Sequence, residues 1–166
     1  MVSMNEIMIR NEIRSGDLGY IMYRHGALYH AEYGYGLSFE AYVGHGLFEF
    51  YKNYDSYLDR LWMAEHNGQI QGTILLMHRE KDVAQLRFFL LEPTYRGIGL
   101  GNKMMTLFMY FLKEKNYRHA YLWTTEEQKK AATLYQRYGF RLTEEKHSSA
   151  FGKPLMEQRY DLSVIQ

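Results

Sequence analysis

The chain is constrained most by three glycines spaced one residue apart, in the segment RGIGLG at residues 96–101. An apolar run over residues 83–91 precedes this segment, and apolar side chains at helical spacing follow it. Alternating glycines let a backbone approach a ligand closely and direct successive N–H groups into one concavity. The first turn of the following helix adds unpaired N–H groups and the positive end of its dipole. The sequence therefore predicts a strand, a phosphate-binding loop and a helix in direct succession.

Two common phosphate-binding loops do not match this segment. No Gly-Lys-Ser/Thr follows it, so it is not a P-loop, and its third glycine arrives one residue too early for the dinucleotide-binding GxGxxG pattern. A ligand-free turn between strand and helix is the alternative, but such a turn does not require three alternating glycines.

Hydrophobic patterning predicts a mixed α/β fold over the rest of the chain. The predicted strands cover residues 7–14, 61–65, 70–77, 83–91, 119–124, 140–143 and 155–162. Four helices are predicted. The first begins at a cap on Asp17, the second near Ser38, the third directly after residues 96–101, here called the glycine loop, and the fourth at a capping box over residues 125–128. Asn67-Gly68 accepts the positive φ angles of a tight hairpin turn, which predicts an antiparallel meander. We expect one domain over residues 1–166.

Composition excludes several classes of function. The formal net charge is +1, without the basic face that nucleic-acid binding requires, so no nucleic-acid partner is expected. No run reaches the roughly 18 apolar residues of a membrane span, and residues 1–9 do not resemble a secretory signal, which predicts a cytoplasmic protein. The absence of cysteine excludes a cysteine nucleophile, and the seven histidines lack metal-ligand spacing, so no metal is expected.

Tyrosine is concentrated near the N-terminus, with nine of the 16 tyrosines between Tyr20 and Tyr57. One interpretation makes them half-buried packing residues with hydrated hydroxyls. The other makes several of them the wall of a ligand pocket, because such pockets are largely apolar and aromatic. Both interpretations stay open on the sequence alone.

Two segments resemble landmarks of the GNAT N-acetyltransferases. Residues 91–101, LEPTYRGIGLG, are similar to the family's Q/R-x-x-G-x-G/A loop, which binds the pyrophosphate of acetyl-CoA, and Tyr135 precedes Gly139-Phe140 as in its second landmark. The resemblance implies a GNAT-like α/β fold with six to seven strands and about four helices. It also implies acetyl-CoA as acyl donor, a small-molecule or peptide primary amine as acceptor, and a possible homodimer. Without a cysteine, direct attack in a ternary complex is the simplest mechanism.

A closer resemblance lies outside these landmarks. Residues 23–29, 32–34 and 151–152, together with Gln158, look like the acetyltransferase half of regulators that fuse a MarR domain to a GNAT domain. Because those regulators place DNA binding in their other half, the resemblance implies a stand-alone catalytic or sensing unit. The alternative function is therefore a catalytically weak module that senses acyl-CoA or another ligand with the same fold.

The resemblance assigns roles to the cofactor-binding residues. It implies that Tyr135 protonates the leaving CoA sulfur and that Gln128 contacts CoA where the family often has asparagine. Main-chain groups of Phe89, Leu90 and Leu91 are expected beside the pantetheine arm and the acyl carbonyl. The expected pyrophosphate seat consists of Arg96, Gly97, Ile98, Gly99, Leu100, Gly101 and Asn102.

The general base and the acceptor site stay open. Glu92, at the end of a buried strand, is the candidate base, with Glu65 and His78 as alternatives and a water relay as an equal possibility. The residues that could orient the acceptor amine are His25, Tyr29, Glu32 and Glu65.

Overall fold

The computed structural model describes residues 1–165, and within them seven strands form one mixed sheet with four helices packed on its two faces. The helices are α1 (Asp17–Tyr33), α2 (Leu37–Lys52), α3 (Leu100–Glu114) and α4 (Lys129–Arg137). The strands are β1 (Met8–Arg10), β2 (Arg60–His66), β3 (Gln69–Glu80), β4 (Val83–Leu91), β5 (His119–Thr125), β6 (Arg141–Ser148) and β7 (Leu155–Ser163). No helix of this part of the chain is both long enough and apolar enough to cross a bilayer.

The strand order is β1-β2-β3-β4-β5-β7-β6. Neighbours are antiparallel except β4 and β5, which run parallel and pair along Val83–Gln85 and His119–Tyr121. Asn67 and Gly68 both have positive φ, 53° and 75°, so the predicted hairpin between β2 and β3 is confirmed. Beyond Gln85 the two parallel strands diverge, and this divergence opens a wedge in the sheet.

Apolar side chains bury both faces of the sheet. On one face α3 contributes Met104, Phe108 and Leu112, all completely buried, as their helical spacing predicts. On the other face α2 contributes Val43 and Leu47 to a second cluster. Burying a large apolar side chain stabilises a fold by about 1.5–3 kcal/mol, so these two clusters fix the sheet between its helices.

A break in register marks the middle of β4. Thr73 on β3 pairs with Leu90, whereas Leu75 pairs with Arg87, so β4 holds one extra residue at this point. Phe88 has φ 51°, and its carbonyl accepts a hydrogen bond from Thr73 Oγ1 at 2.7 Å. This bulge lies just before the segment that lines the wedge.

Two predicted helix caps were wrong, although α1 does begin at Asp17. Residues 125–128 do not form a capping box: Thr125 belongs to β5, where it pairs with Glu157, and its hydroxyl bonds the hydroxyl of Tyr35 at 2.6 Å. The helix begins at Lys129, and Gln128 caps it without a side-chain hydrogen bond. Asp17 does not cap α1 either, because its carboxylate accepts bonds from the Arg10 guanidinium and from the Arg14 N–H.

Other boundaries moved for local reasons. The first strand is confined to Met8–Arg10, since Arg10 turns to bind Asp17 and the chain leaves the sheet there. Gly139, with φ 96°, follows the end of α4 as predicted. Gly46 does not interrupt α2, which runs continuously from Leu37 to Lys52.

Candidate functional site

The wedge between β4 and β5 continues into a cleft of about 580 Å³, here called the loop cleft. Its walls are the end of α1, the end of β4, the glycine loop and α4. The residues that line it are Tyr29, Glu32, Tyr33, Phe89, Leu90, Leu91, Arg96, Gly97, Gly99, Gly101, Asn102, Glu127, Gln128, Lys129, Lys130, Ala131, Leu134, Tyr135 and Arg137. Most of the predicted cofactor-binding residues therefore surround one space.

The glycine loop presents an unobstructed backbone to the loop cleft. Gly97 and Gly99 have φ of 77° and 92°, and a Cβ at either position would meet nothing within 4 Å. Ile98 packs against the core and Leu100 is completely buried, so these two side chains anchor the loop from behind. Gly99 is the N-cap of α3, which places the first free N–H groups of that helix beside the glycines.

Cations outnumber free carboxylates at the loop cleft. Arg96 Nη2 donates to Glu32 Oε1 at 2.7 Å, and this ion pair joins the glycine loop to α1 in the wall of the loop cleft. Glu127 is held by Lys153 at 2.8 Å. Three further cations line the cleft without an ion pair inside residues 1–165: Lys129, Lys130 and Arg137. The arrangement suits an anionic ligand that carries more than one negative charge.

Tyr135 lies where the loop cleft ends. Its side chain is 95% buried beside the ring of Phe89, with the two ring centroids 6.1 Å apart. Its hydroxyl makes no hydrogen bond to the part of the chain that the structure describes, and burial raises its pKa above the ordinary 10. The hydroxyl therefore keeps its proton at neutral pH and is available as a donor.

A second space of about 90 Å³, here called the inner cavity, lies on the α2 side of the wedge. Its walls and those of the loop cleft share Tyr29, Phe89, Gln128 and Tyr135. The other residues that line it are His25, Phe39, Tyr42, Val43, Gln85, Leu86, Arg87, Phe88, Trp123, Thr124, Thr125, Phe151 and Glu157. Three of the clustered tyrosines thus line a pocket (Tyr29, Tyr33 and Tyr42), while Tyr35 is packing, being 1% exposed.

Two residues that line the inner cavity each have a buried polar atom without a partner among the described residues: His25 Nε2 and Thr124 Oγ1. His25 Nδ1 lies 2.8 Å from the carbonyl oxygen of Ile21, so Nδ1 carries the proton and donates. Nε2 then offers a lone pair. Because burial lowers the pKa of His25 to about 4, the ring stays neutral at neutral pH. A ligand that brings an N–H group would satisfy this atom.

The predicted bases have other partners. Glu92 accepts two bonds from the Arg24 guanidinium, at 2.5 and 3.0 Å, and lines neither the loop cleft nor the inner cavity. Glu65 is bound by Arg10 at 2.6 Å, and His78 contacts the Tyr117 hydroxyl at 3.0 Å. Of the predicted acceptor residues, the structure brings His25, Tyr29 and Glu32 to the two spaces and leaves Glu65 outside them.

Sequence reasoning missed five polar residues of the inner cavity: Gln85, Arg87, Thr124, Thr125 and Glu157. Arg87 carried a signal, because its charge interrupts a mainly apolar strand that the sequence predicts to be buried. The other four are uncharged or lie on strands of ordinary composition, and they gave none. Within the described chain, no group of three or more His, Asp or Glu side chains is arranged to hold a metal ion.

Comparison with models of protein families identifies the family to which this chain belongs. The model of the acetyltransferase (GNAT) family matches residues 27–140, from the middle of α1 to the start of β6. This chain belongs to the GNAT family. The predicted family and enzyme class, GNAT N-acetyltransferase, are therefore confirmed. The closer likeness to fusions with a MarR domain stays a prediction.

Curated relatives carry the same class name. "Uncharacterized N-acetyltransferase YjgM" of Escherichia coli is 31% identical over 95 residues, 55% of this chain and 57% of the relative. "N-acetyltransferase family 8 member 2" of Rattus norvegicus is 28% identical over 97 residues, 55% of this chain and 43% of the relative. The match thus spans about half the length of these relatives.

Solved structures confirm the fold. A GNAT acetyltransferase of Staphylococcus aureus superposes with a TM-score of 0.75 at 22% identity, covering 96% of this chain and 99% of that one. The yncA structure of Salmonella typhimurium, a protein solved with its cofactor acetyl-CoA, gives a TM-score of 0.72 at 18% identity, covering 98% of this chain and 96% of that one. The predicted mixed α/β fold is the GNAT fold.

Proposed function

We propose that this GNAT enzyme transfers an acetyl group from acetyl-CoA to the primary amine of a small acceptor in a ternary complex. The observation that carries the proposal is the meeting of two spaces at Tyr135. One space has an open glycine backbone at a helix N-terminus, and the other has unpaired acceptors for N–H groups.

The loop cleft fits acetyl-CoA as the acyl-donor substrate, which supplies an electrophilic thioester. Backbone N–H groups from Gly97 to Asn102 would hold the pyrophosphate, because side chains are absent where the glycines face the cleft. The cations on α4, Lys129 and Lys130 with Arg137, would meet the outer phosphate. The main chain of Phe89–Leu91 would lie along the pantetheine arm, past the bulge of β4.

Tyr135 would act as the general acid. Nitrogen of the neutral amine attacks the acetyl carbon, the C–N bond forms, and the C–S bond breaks with its electron pair on sulfur. The Tyr135 hydroxyl donates its proton to that sulfur, and the proton released by the amine returns to the tyrosine through water. Positioned acid–base groups typically contribute about 10²–10⁴-fold to the rate.

Glu157, the unpaired carboxylate of the inner cavity, does not line the loop cleft where the thioester would lie, so we assign the loss of the acceptor's proton to a water relay that carries it to the bulk solvent. An ordinary ammonium has a pKa near 10, and His25, whose pKa is about 4, is too weak a base to take its proton. His25 Nε2 would instead accept an N–H bond from the amine after the proton has left. Its role is therefore orientation.

Ligand-dependent melting tests the cofactor half of this proposal. Saturation at 100 times Kd stabilises a fold by about 2.7 kcal/mol, which for a chain of this size raises Tm by roughly 5–10 °C. Acetyl-CoA is expected to give such a rise. An unchanged Tm at millimolar acetyl-CoA would contradict the proposal.

A thiol-release assay over small amines then tests turnover. Release of CoA in the presence of an amine, well above the rate with acetyl-CoA alone, is the expected result. Strong acetyl-CoA binding with no release for any amine would favour the alternative, a module that senses acyl-CoA.

A further inference from the structure

We propose that Arg87 binds an anionic group of the acceptor, so that the substrate class is a small amine that also carries a carboxylate, as an α-amino acid does. This inference rests on the proposed function, since it names the acceptor of the same site. It starts from a guanidinium group that the folded chain leaves without adequate partners.

Arg87 is buried without a hydrogen bond. Its side chain is 9% exposed and lines the inner cavity, and it makes no hydrogen bond to any described residue. The nearest carboxylate oxygen is Glu49 Oε2, at 3.7 Å, while Glu49 Oε1 accepts a bond from Arg79 at 2.7 Å. A guanidinium has five N–H donors, and leaving them unmet in a buried site is unfavourable. An anionic ligand would satisfy them.

The packing around Arg87 holds the guanidinium in place. The group lies over the rings of Phe88 and Tyr42, 4.8 and 5.6 Å from their centroids. On its other side is Gly46 of α2, where an added Cβ would come 2.5 Å from Nη2. The glycine within α2, which lowers helix propensity, therefore makes room for this cation. A guanidinium whose plane is fixed in this way presents paired donors that match a carboxylate.

Acceptors for an amine lie beside the same ring. His25 contacts Phe88 edge-to-face with centroids 5.7 Å apart, and its Nε2 has no hydrogen-bond partner among the described residues. Thr124 Oγ1 is the second unpaired atom of the cavity, and Glu157 adds a carboxylate that forms no ion pair or hydrogen bond in the described chain. One cavity therefore combines a cation with several acceptors, the complement of a zwitterion.

The size of the cavity limits the acceptor. A volume of about 90 Å³ admits roughly a handful of water molecules, at about 10–15 Å³ each. The ammonium and carboxylate of one amino acid fit such a space, with the side chain directed out of it. A polyamine would bring two or more positive charges to a cavity that already holds Arg87, and like charges repel.

Matched acceptor sets test the proposal with the thiol-release assay. For alanine, leucine and phenylalanine, kcat/KM is measured for the free amino acid and for its amide, which lacks the carboxylate. The wild-type chain is expected to prefer the acid by roughly 30-fold or more, the usual effect of removing one partner of a buried charge pair. Arg87→Met is expected to bring the acid-to-amide ratio close to one, and Arg87→Lys to restore part of it.

Arg79→Met is the matched control, because Arg79 binds the same Glu49 but does not line the inner cavity. It is expected to keep the wild-type ratio. An acetyl-CoA-induced rise in Tm shows that each variant is folded. A wild-type ratio near one, or a ratio that Arg87→Met leaves intact, would overturn the proposal while the acetyltransferase function stands.

If none of the acceptors in any set causes release of CoA, the result would instead contradict the proposed turnover. The inference is then decided by binding, from the rise in Tm that each amino acid and each amide produces with acetyl-CoA present. A larger rise for the acids that disappears in Arg87→Met supports it, and equal rises for acids and amides overturn it.

Discussion

The loop cleft and the inner cavity are built by different means. One wall of the loop cleft is a continuous stretch, residues 89–102, in which the glycines expose the backbone, and side chains of α1 and α4 complete the cleft. The inner cavity is formed by side chains from three strands and three helices, brought together by packing. A backbone site depends on local sequence and tolerates little change in it. A side-chain site depends on the whole fold, and its specificity can change one residue at a time.

The two spaces also differ in how their polar groups are satisfied. In the loop cleft Glu32 and Glu127 each form an ion pair, although Glu127 Oε1 has no hydrogen-bond partner in the described chain, and unpaired cations remain. The inner cavity combines the uncharged acceptors His25 Nε2 and Thr124 Oγ1, which have no partner there, with Arg87 and the unpaired Glu157. The first pattern suits a polyphosphate, and the second suits a small group that donates N–H bonds. Four predictions test this division, in order of expected effect.

Tyr135→Phe removes the hydroxyl at the point where the spaces meet. We expect kcat to fall by about 10²–10⁴-fold, because the leaving sulfur loses its proton donor, while acetyl-CoA affinity changes little. Steady-state kinetics and an acetyl-CoA titration measure the two effects. Tyr160→Phe is the control, since Tyr160 packs against Tyr135 but lines neither space. Equal losses of rate and affinity in Tyr135→Phe would make this residue a scaffold instead.

His25→Leu tests the neutral, unpaired imidazole of the inner cavity. His25 titrates at about 4 in the folded chain and near 6.5 in the unfolded chain, so below pH 6.5 the unfolded state binds more protons. Stability therefore falls as the pH drops from 6.5 to 4, by up to about 3 kcal/mol from this group.

Urea unfolding at a series of pH values measures this dependence. His25→Leu should flatten it, whereas the exposed His45→Gln should leave it unchanged. An identical slope in the wild type and His25→Leu would show that His25 is not held neutral.

Gly99→Ala tests the backbone character of the loop cleft. The added methyl enters the space reserved for the ligand, and we expect acetyl-CoA affinity to fall by about 10–100-fold, equivalent to one lost charge-assisted hydrogen bond. Gly16→Ala is the control, because Gly16 has nearly the same φ, 96° against 92°, and lies far from the cleft. Both variants should lose about 1–2 kcal/mol of stability from the strain. Only a selective loss of affinity in Gly99→Ala supports the loop as the pyrophosphate seat.

Glu92→Gln tests whether a carboxylate that lines neither space acts as the base. We assign Glu92 to the ion pair with Arg24, which joins α1 to the end of β4, and expect a loss of about 1 kcal/mol in stability with less than a tenfold change in rate. The exposed Glu12→Gln, which breaks the pair with Arg14, should change stability by less than about 0.5 kcal/mol. A rate reduction near 100-fold in Glu92→Gln would show instead that Glu92 is the general base.

The contrast between features set by local sequence and features set by the whole fold explains which of them the sequence could predict. The hairpin at Asn67-Gly68 and the glycine loop depend on the φ angles that their own residues accept, so local reasoning identified both. The capping box failed because Thr125 is held in β5 by its pairing with Glu157 of β7, 32 residues away, and strand pairing overrode the local preference.

The inner cavity could not be predicted for a similar reason. The Arg87 guanidinium lies over the ring of the adjacent Phe88. This contact is possible because a bulge, set by the pairing of β4 with β3, interrupts the alternation of side chains between the two faces of the strand. His25 becomes an unpaired acceptor because its other nitrogen is committed to Ile21, and no sequence pattern shows which nitrogen is free. These features arise from contacts between elements.

The divergence of β4 and β5 has a kinetic consequence for a reaction between two ligands. Residues of α4 line much of the loop cleft and residues of α2 line the inner cavity, so in the proposed reaction donor and acceptor would approach from different sides and meet near Tyr135. Neither ligand would then lie in the other's path. Binding in either order, and departure of either product first, should therefore be open to this enzyme, and its initial-rate plots should intersect.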